Sequence, residues 1–246
     1  MVTAIVLAGG EGDPLAQHAG VVSKALVPFA GVPLALRVLQ ILAACPAVEQ
    51  IVYVGEANDT LTPYVQQQVP AGATLLDSLQ AGAACADGDT LLAIAADLPW
   101  LEPVAVHALL TAAENAAITY PVVRKDIMEA AFPQQTRTYA KLQDGAVTGG
   151  NAFVVQRDAL STLVPFANRA YHHRKNPLFL AQMVGLPWVL RYVVGRLTLA
   201  ALEARVADIL KLPVHAYVSD YACLAADVDK PSHLRLAEVT DDTKNT

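Results

Sequence analysis

The run Val2-Thr3-Ala4-Ile5-Val6-Leu7, followed directly by Ala8-Gly9-Gly10, decides how the rest of the chain is read. Six apolar or β-branched residues without alternation predict a strand buried on both faces, the habit of parallel strands in α/β sheets. The glycine pair at its end lets the chain turn tightly and lets backbone N–H groups approach an anion. It is not a dinucleotide fingerprint, because G-x-G-x-x-G is absent, nor a P-loop, because no G-x-x-x-x-G-K-[ST] occurs.

Outward from this strand, helical and extended patterns alternate. Pro33 opens a helix to about Cys45, with Leu34, Val38 and Leu42 on one side. A strand at Ile51 to Val54, a helix from Leu61 to Gln68 and a short strand at Thr74 to Leu76 are expected next. Asp77 or Ser78 then caps a helix to about Ala86. Thr90 to Ala96 is another buried strand, stopped by Asp97-Leu98-Pro99, and Glu102-Pro103 begins a helix. Strand and helix in this order predict an α/β chain with a mainly parallel sheet and helices on both faces.

The rhythm loosens after Tyr120. Arg124 to Asp144, rich in charge, Gln and Thr, reads as an irregular insertion or a β-ribbon. A strand at Asn151 to Val155 follows, then two helices over Pro177 to Leu210, broken near Gly185-Leu186-Pro187, with Thr198 as a cap. Pro213 to Val218 is the last strand, a short helix follows Pro231, and Thr240 to Thr246 is a polar tail.

The 246 residues are 54% hydrophobic and only 16% charged, with a net charge of −6, so a large core is available and disorder is not expected. No basic face for a phosphate backbone is present, which argues against nucleic acid as partner. Cys45, Cys85 and Cys223 are odd in number and far apart, as for reduced thiols in a cytoplasmic protein. Met1-Val2-Thr3 has no basic segment and enters a strand at once, so a signal peptide is not expected. Leu178 to Val194 is the most apolar stretch, but it carries Gln182, Pro187 and Arg191 and falls short of the ~20 apolar residues of a span. Burial in the monomer is the default expectation for it, with a homodimer interface or a lid over an apolar acceptor as alternatives.

Three further features carry chemistry. Lys24, in Ser23-Lys24-Ala25-Leu26-Val27-Pro28, lies between the glycine loop and an apolar stretch, where an ammonium can sit over polyphosphate. Asp97 ends a buried strand, in the crevice where open α/β sheets bind ligands, and suits Mg²⁺ or, more blandly, a helix cap. Asp227-Val228-Asp229, before Lys230-Pro231, offers a second carboxylate, again with a helix cap as the plain alternative.

In this order, Leu7-Ala8-Gly9-Gly10, Lys24-Ala25-Leu26-Val27-Pro28 with Gly31-Val32-Pro33, Ala96-Asp97-Leu98-Pro99 and Asp227-Val228-Asp229-Lys230-Pro231 resemble the nucleotidyltransferase superfamily. The likeness is to its molybdenum cofactor guanylyltransferase-like NTP transferase branch, over residues 2–125 and 213–238. The resemblance implies a three-layer α/β/α fold of the glycosyltransferase-A kind with a mainly parallel mixed sheet and a Rossmann-like nucleotide-binding half. One domain over residues 1–240 is expected, with a nucleotide-binding half (1–123), an acceptor-binding half (124–240) and a tail (241–246). It further implies Mg²⁺-dependent transfer of an NMP group from a nucleoside triphosphate to a small phosphorylated acceptor, releasing pyrophosphate. Leu7, Ala8, Gly9 and Gly10 would wrap the nucleotide, with Ser78 and Gly82 on the base side. Lys24 would contact phosphate, Asp97 and Asp229 would hold the metal, and Gly150, Asn151 and Lys175 would face the acceptor.

The chain departs from the pattern at one point. The family loop carries an Arg a few residues after the glycine pair, whereas Glu11 to Gln17 contains none and presents Glu11 and Asp13 instead. Phosphate binding then falls to Lys24, the metal and a remote group such as Arg124, Lys125 or Lys175. Two other readings follow: a nucleotide- or sugar-phosphate-binding regulator without turnover, and a glycosyltransferase of the same fold.

Overall fold

The computed structural model describes residues 1–9, 12–173 and 177–234. The opening strand, β1 (Val2–Leu7), is followed by α1 (Pro14–Ala19), the small strands β2 (Pro28–Phe29) and β3 (Val32–Pro33), and α2 (Leu34–Ala43). Next come β4 (Val48–Val54), β5 (Gln67–Val69), α3 (Leu75–Ala84), β6 (Thr90–Ala95), α4 (Pro103–Ala112) and β7 (Ile118–Arg124). Beyond β7 the chain forms α5 (Lys125–Ala131), β8 (Ala140–Leu142), β9 (Gly145–Gly149), β10 (Ala152–Gln156) and α6 (Leu160–His172). Then α7 (Pro177–Val184), α8 (Leu186–Val193) and α9 (Leu199–Leu210) lead to β11 (Val214–Ser219) and α10 (Pro231–Leu234).

β1 lies inside the sheet, parallel to β4 on one side and to β6 on the other. Its residues serve both faces in turn. Ala4 and Val6 join Val38, Leu39 and Leu42 of α2 and Val106 and Leu109 of α4 in one cluster. Ile5 joins Leu79 and Ala83 of α3 and Leu210 of α9 in the other. All three strand residues are fully buried, and burying an Ile or Val side chain contributes about 1.5–3 kcal/mol, which explains a run whose one polar member, Thr3, is buried and hydrogen-bonded to Gln50. The sheet runs β5-β4-β1-β6-β10-β7-β9-β8, with β11 parallel to β7. Its two parallel arrays are joined by antiparallel β10, giving the mixed, mainly parallel, three-layer α/β/α fold.

β7 organises the second half. β11 pairs with it over Ile118 to Val123, so β9 and β10 must share its other edge. Between them Gly150 interrupts the ladder, its N–H donating to the Pro121 carbonyl at 2.9 Å. β8 and β9 form an antiparallel hairpin beyond this break.

Several expectations from the sequence are corrected. Leu61 to Gln68 is no helix: Thr62–Tyr64 makes one 3-10 turn, and Gln67–Val69 becomes edge strand β5, parallel to β4. An edge strand has one neighbour and tolerates polar side chains on both faces, so it lacks the apolar signature of a buried strand. Thr74 to Leu76 is no strand either. Thr74 is the N-cap of α3, accepting from Asp77 N–H at 3.1 Å while Asp77 accepts from Thr74 N–H at 3.0 Å. This reciprocal box places Asp77 at the third helical position and Ser78 inside the helix, so neither is the cap. The stretch expected to be irregular contains helix α5 and hairpin β8–β9, the latter matching the ribbon alternative. Pro177 to Leu210 holds three helices, since the chain breaks at Gly185 and again after Val193. Thr198 does cap α9, accepting from Ala201 N–H at 3.2 Å. The default of burial for the apolar stretch fails over α8, where Leu186, Leu190 and Val193 are 64%, 54% and 73% exposed. The Leu178 side chain and the tail 241–246 lie outside the described residues. Among those described, no helix is long and apolar enough to cross a membrane.

Candidate active site

The C-terminal ends of β1, β4 and β6 open on one edge of the sheet. Leu7 still belongs to the ladder, its carbonyl accepting from Ala96 N–H at 3.1 Å, and Ala8 N–H donates to the Val54 carbonyl at 2.9 Å. Gly9 then passes under the loop before α3: a Cβ there would come within 2.6 Å of the Ala71 methyl. Only glycine lets the chain cross at that distance. Gly10 and Glu11 lie outside the described residues.

Lys24 stands in a 3-10 turn, Lys24–Leu26, which Val27 closes by donating to the Lys24 carbonyl at 3.1 Å. Beneath it Leu15, Val27, Phe29, Leu34 and Val228 form a small apolar cluster. This cluster clamps the lysine turn to the Asp227-Val228-Asp229 segment, so residues 205 positions apart meet. Val228 is fully buried. Its N–H donates to the Asp97 carbonyl at 3.2 Å, which ties the segment to the end of β6.

Three carboxylates converge at this point. One oxygen each from Asp97, Asp227 and Asp229 falls within 4.8 Å of the others, the one such group among the described residues. The Lys24 ammonium lies 2.6 Å from Asp97 and 2.5 Å from Asp229. Burial disfavours that ammonium, but the two carboxylates outweigh it and hold its pKa above the ordinary value. Asp97 is no helix cap, because Glu102 occupies the N-cap position of α4. Its second oxygen, Oδ1, is buried without a hydrogen-bond partner. An orphaned buried carboxylate oxygen beside two further carboxylates is a hard-oxygen donor set that fits Mg²⁺ or Mn²⁺.

Asp227 and Asp229 differ. Burial pushes the Asp227 carboxyl up to about 6, aided by its hydrogen bond to Asp229 and the charge of Asp97, while Arg137 opposes the rise. Burial also works to raise Asp229, but hydrogen bonds from Lys24 and Asp227 prevail and its pKa is lowered. His233 supports the segment, its Nδ1 accepting the Asp229 N–H at 3.3 Å. Burial lowers the His233 pKa, in keeping with a neutral ring that accepts at this nitrogen.

Two residues here escaped the sequence reading. Asp227 was quoted, but only Asp229 was assigned to the metal. The signal was the apolar residue between them: in extended chain, alternate side chains share a side, so a buried Val228 puts both carboxylates opposite it. Arg137 had no signal. It pairs with Asp227, and its other guanidinium nitrogen donates to the Gly149 carbonyl at 3.2 Å. Of the remote cations expected to serve instead, Arg124 pairs with Asp126 on the surface and Lys125 sits near Glu129 at 3.6 Å.

The remaining expected residues divide. Ser78 accepts from Gly72 N–H at 2.9 Å and lies beneath Gly9, 3.6 Å from where its Cβ would be, so it borders the loop. Gly82 is one turn further along α3 and is used for packing: a Cβ would come within 2.5 Å of Ile5 and 2.9 Å of Val54. Gly150 and Asn151 stand at the break between β9 and β10. Asn151 N–H donates to the Leu224 carbonyl at 2.7 Å, and its side-chain Nδ2 is buried without a partner. Lys175 lies outside the described residues.

This arrangement agrees with the comparisons. A hypothetical transferase from Thermus thermophilus is 40% identical, with 94% of this chain and 98% of that chain covered and a TM-score of 0.86. A CMP:2-keto-3-deoxy-manno-octonic acid synthetase solved with CTP superposes with a TM-score of 0.60 at 13% identity, covering 98% and 99% of the two chains. A nucleotidyl transferase from Methanothermobacter thermautotrophicus gives 0.58 at 18%, covering 99% of each. These two low-identity likenesses speak for the fold. A comparison with curated proteins gives no match. The family model of the MobA-like NTP transferase domain matches residues 4–208, and the chain belongs to that family of nucleotidyltransferases.

Proposed function

We propose that the chain transfers an NMP group from a nucleoside triphosphate to a small phosphorylated acceptor, with Mg²⁺ as cofactor and pyrophosphate as the released product. The observation that carries this reading is the meeting of Lys24 with three carboxylates, one bearing an orphaned buried oxygen, beside a glycine loop at the sheet edge. An acceptor phosphate oxygen attacks the α-phosphorus, and the bond from α-phosphorus to the bridging oxygen breaks. The electron pair leaves with pyrophosphate. Such a transfer needs positioning and neutralised charge more than reactive side chains.

Mg²⁺, when bound to Asp97 and Asp229 with Asp227 adjacent, supplies Lewis-acid charge to the phosphates. Leu7, Ala8, Gly9 and Gly10 cradle the nucleotide, with Ser78 bordering the loop. Lys24 turns from the carboxylates to the phosphates once a metal takes its place, and stabilises charge developing there. Arg137 supplies the guanidinium that Glu11 to Gln17 lacks. That weakens the case for a binding protein without turnover, which rested on the missing arginine. Gly150 and Asn151 border the acceptor half.

The test is pyrophosphate release from each of the four NTPs with Mg²⁺ across a panel of phosphorylated acceptors. Release is expected with one base, and Asp97→Asn is expected to lower it by about 100-fold or more. Free nucleoside diphosphate as product would point instead to a glycosyltransferase, and near-normal turnover in Asp97→Asn would remove the metal assignment.

A further inference from the structure

A second cavity, of about 560 Å³, lies between the sheet and helices α6 and α9, on the face that carries α3. It follows β7 from Val122, at the end nearest the carboxylates, down to Ile118, about 13 Å of strand. Leu163 and Phe166 of α6 and Leu202 and Val206 of α9 form the opposite wall. Dry packing voids are far smaller, with an engineered cavity of ~150 Å³ already large, whereas ligand cavities run from about 300 to 1,000 Å³. The volume is that of a ligand site.

Among the described residues the wall offers almost nothing polar. Glu203 and His215 both line it, but their side chains face each other at 3.3 Å, and Glu203 also accepts from Ala216 N–H at 2.7 Å. The Tyr120 hydroxyl donates to the Gly150 carbonyl at 3.0 Å. A sugar or other polyhydroxylated body would lose its hydrogen bonds to water here and find few replacements, at a cost of about 1–3 kcal/mol per unpaired group. A hydrocarbon would lose none.

The cavity joins the carboxylate cluster through one peptide. Gly149 lines its wall, and the Gly149 carbonyl accepts from the same Arg137 that pairs with Asp227. Leu76, in the first turn of α3 and two residues before Ser78, lines it as well. A molecule with its body in the cavity and its head group directed past Gly149 would reach Arg137 and Asp227. We infer that this cavity takes the hydrocarbon body of the acceptor, which is a monophosphate ester of an alkyl or isoprenoid chain and not a sugar phosphate. The inference rests on the transfer reading above, and it names the substrate class.

The experiment titrates the full-length chain with ethyl, butyl, hexyl, octyl and decyl phosphate by calorimetry, below their micelle concentrations, with Mg²⁺ and NTP present. Kd is expected to fall by about fourfold per added methylene until the cavity is filled. Ala216→Trp, which fills the cavity from β11, is expected to flatten that dependence, and Leu163→Trp provides the same test from α6. Stabilisation by NTP in thermal melts serves as the folding control for both variants. A Kd independent of chain length, or a length dependence that survives both tryptophans, would overturn the assignment. Length-dependent binding without pyrophosphate release from any NTP would uphold the cavity and defeat the transfer reading. Pyrophosphate release with short polar phosphates and no length dependence would do the reverse.

Discussion

The Lys24 ammonium lies 2.5 Å from Asp229 across 205 positions of sequence, and 2.6 Å from Asp97 on its other side. It occupies the position of a cation among three carboxylates. On the proposed function, a divalent metal held by Asp97 and Asp229 would take its place, and the displaced ammonium would then be at hand for the phosphates. Metal binding and phosphate binding would then be coupled through one side chain.

Lys24→Ala separates the two roles. Without nucleotide, removing the competing charge is expected to tighten Mn²⁺ binding by about tenfold or more, given effective dielectric constants near 20 at such sites. Turnover is expected to fall by about 100-fold, because the phosphates lose their ammonium. Calorimetric titration with Mn²⁺ checks the first effect and pyrophosphate release the second. Weaker Mn²⁺ binding in the variant would mean that Lys24 helps to build the site and does not hold a cation's place.

What the sequence disclosed was local. A run of six apolar or β-branched residues followed by glycine needs no partner to be read as a buried strand and loop, and Asp97 at the end of a second run follows from the same logic. Polar β5 stayed hidden because an edge strand with one neighbour carries no apolar signature. Gly82 could be read two ways, because glycine serves close packing and ligand approach equally well, and the structure adds the packing against Ile5 and Val54. Arg137 was out of reach. Its loop is anchored by Phe132 and Tyr139 against Trp100, Met128 and the segment near Ala222, contacts that exist only once the chain has folded.

Arg137 and Arg124 offer a matched comparison. Arg124 ends β7 and Arg137 lies in the loop before β8, but Arg137 is only 15% exposed and pairs with Asp227, while Arg124 is 54% exposed and pairs with Asp126. Arg137→Met is expected to lower kcat/KM for the NTP by about 10²- to 10³-fold, the scale of losing one preorganised donor. Arg124→Met is expected to change it less than twofold, because an exposed ion pair with Asp126 takes no part in the carboxylate cluster. Equal effects of the two substitutions would deny Arg137 its role.

Asp227 makes stability depend on pH in an unusual direction. Its carboxyl takes up a proton near pH 6 in the folded chain, against 3.8 for an unhindered group, because burial disfavours its charge. Between those values the folded state binds more protons than the unfolded one, so stability falls as pH rises. This contribution is present below about pH 4 and lost by about pH 6 to 7. Asp227→Asn keeps a neutral side chain throughout. Relative to it, the metal-free wild type is expected to lose stability between pH 4 and pH 7, on the order of 1 kcal/mol or more, read from urea unfolding with EDTA present. Mg²⁺ with NTP should shrink that loss, since a cation beside Asp227 removes the penalty on its charge. Parallel pH courses for the two proteins would mean that the proton held near pH 6 belongs to another group.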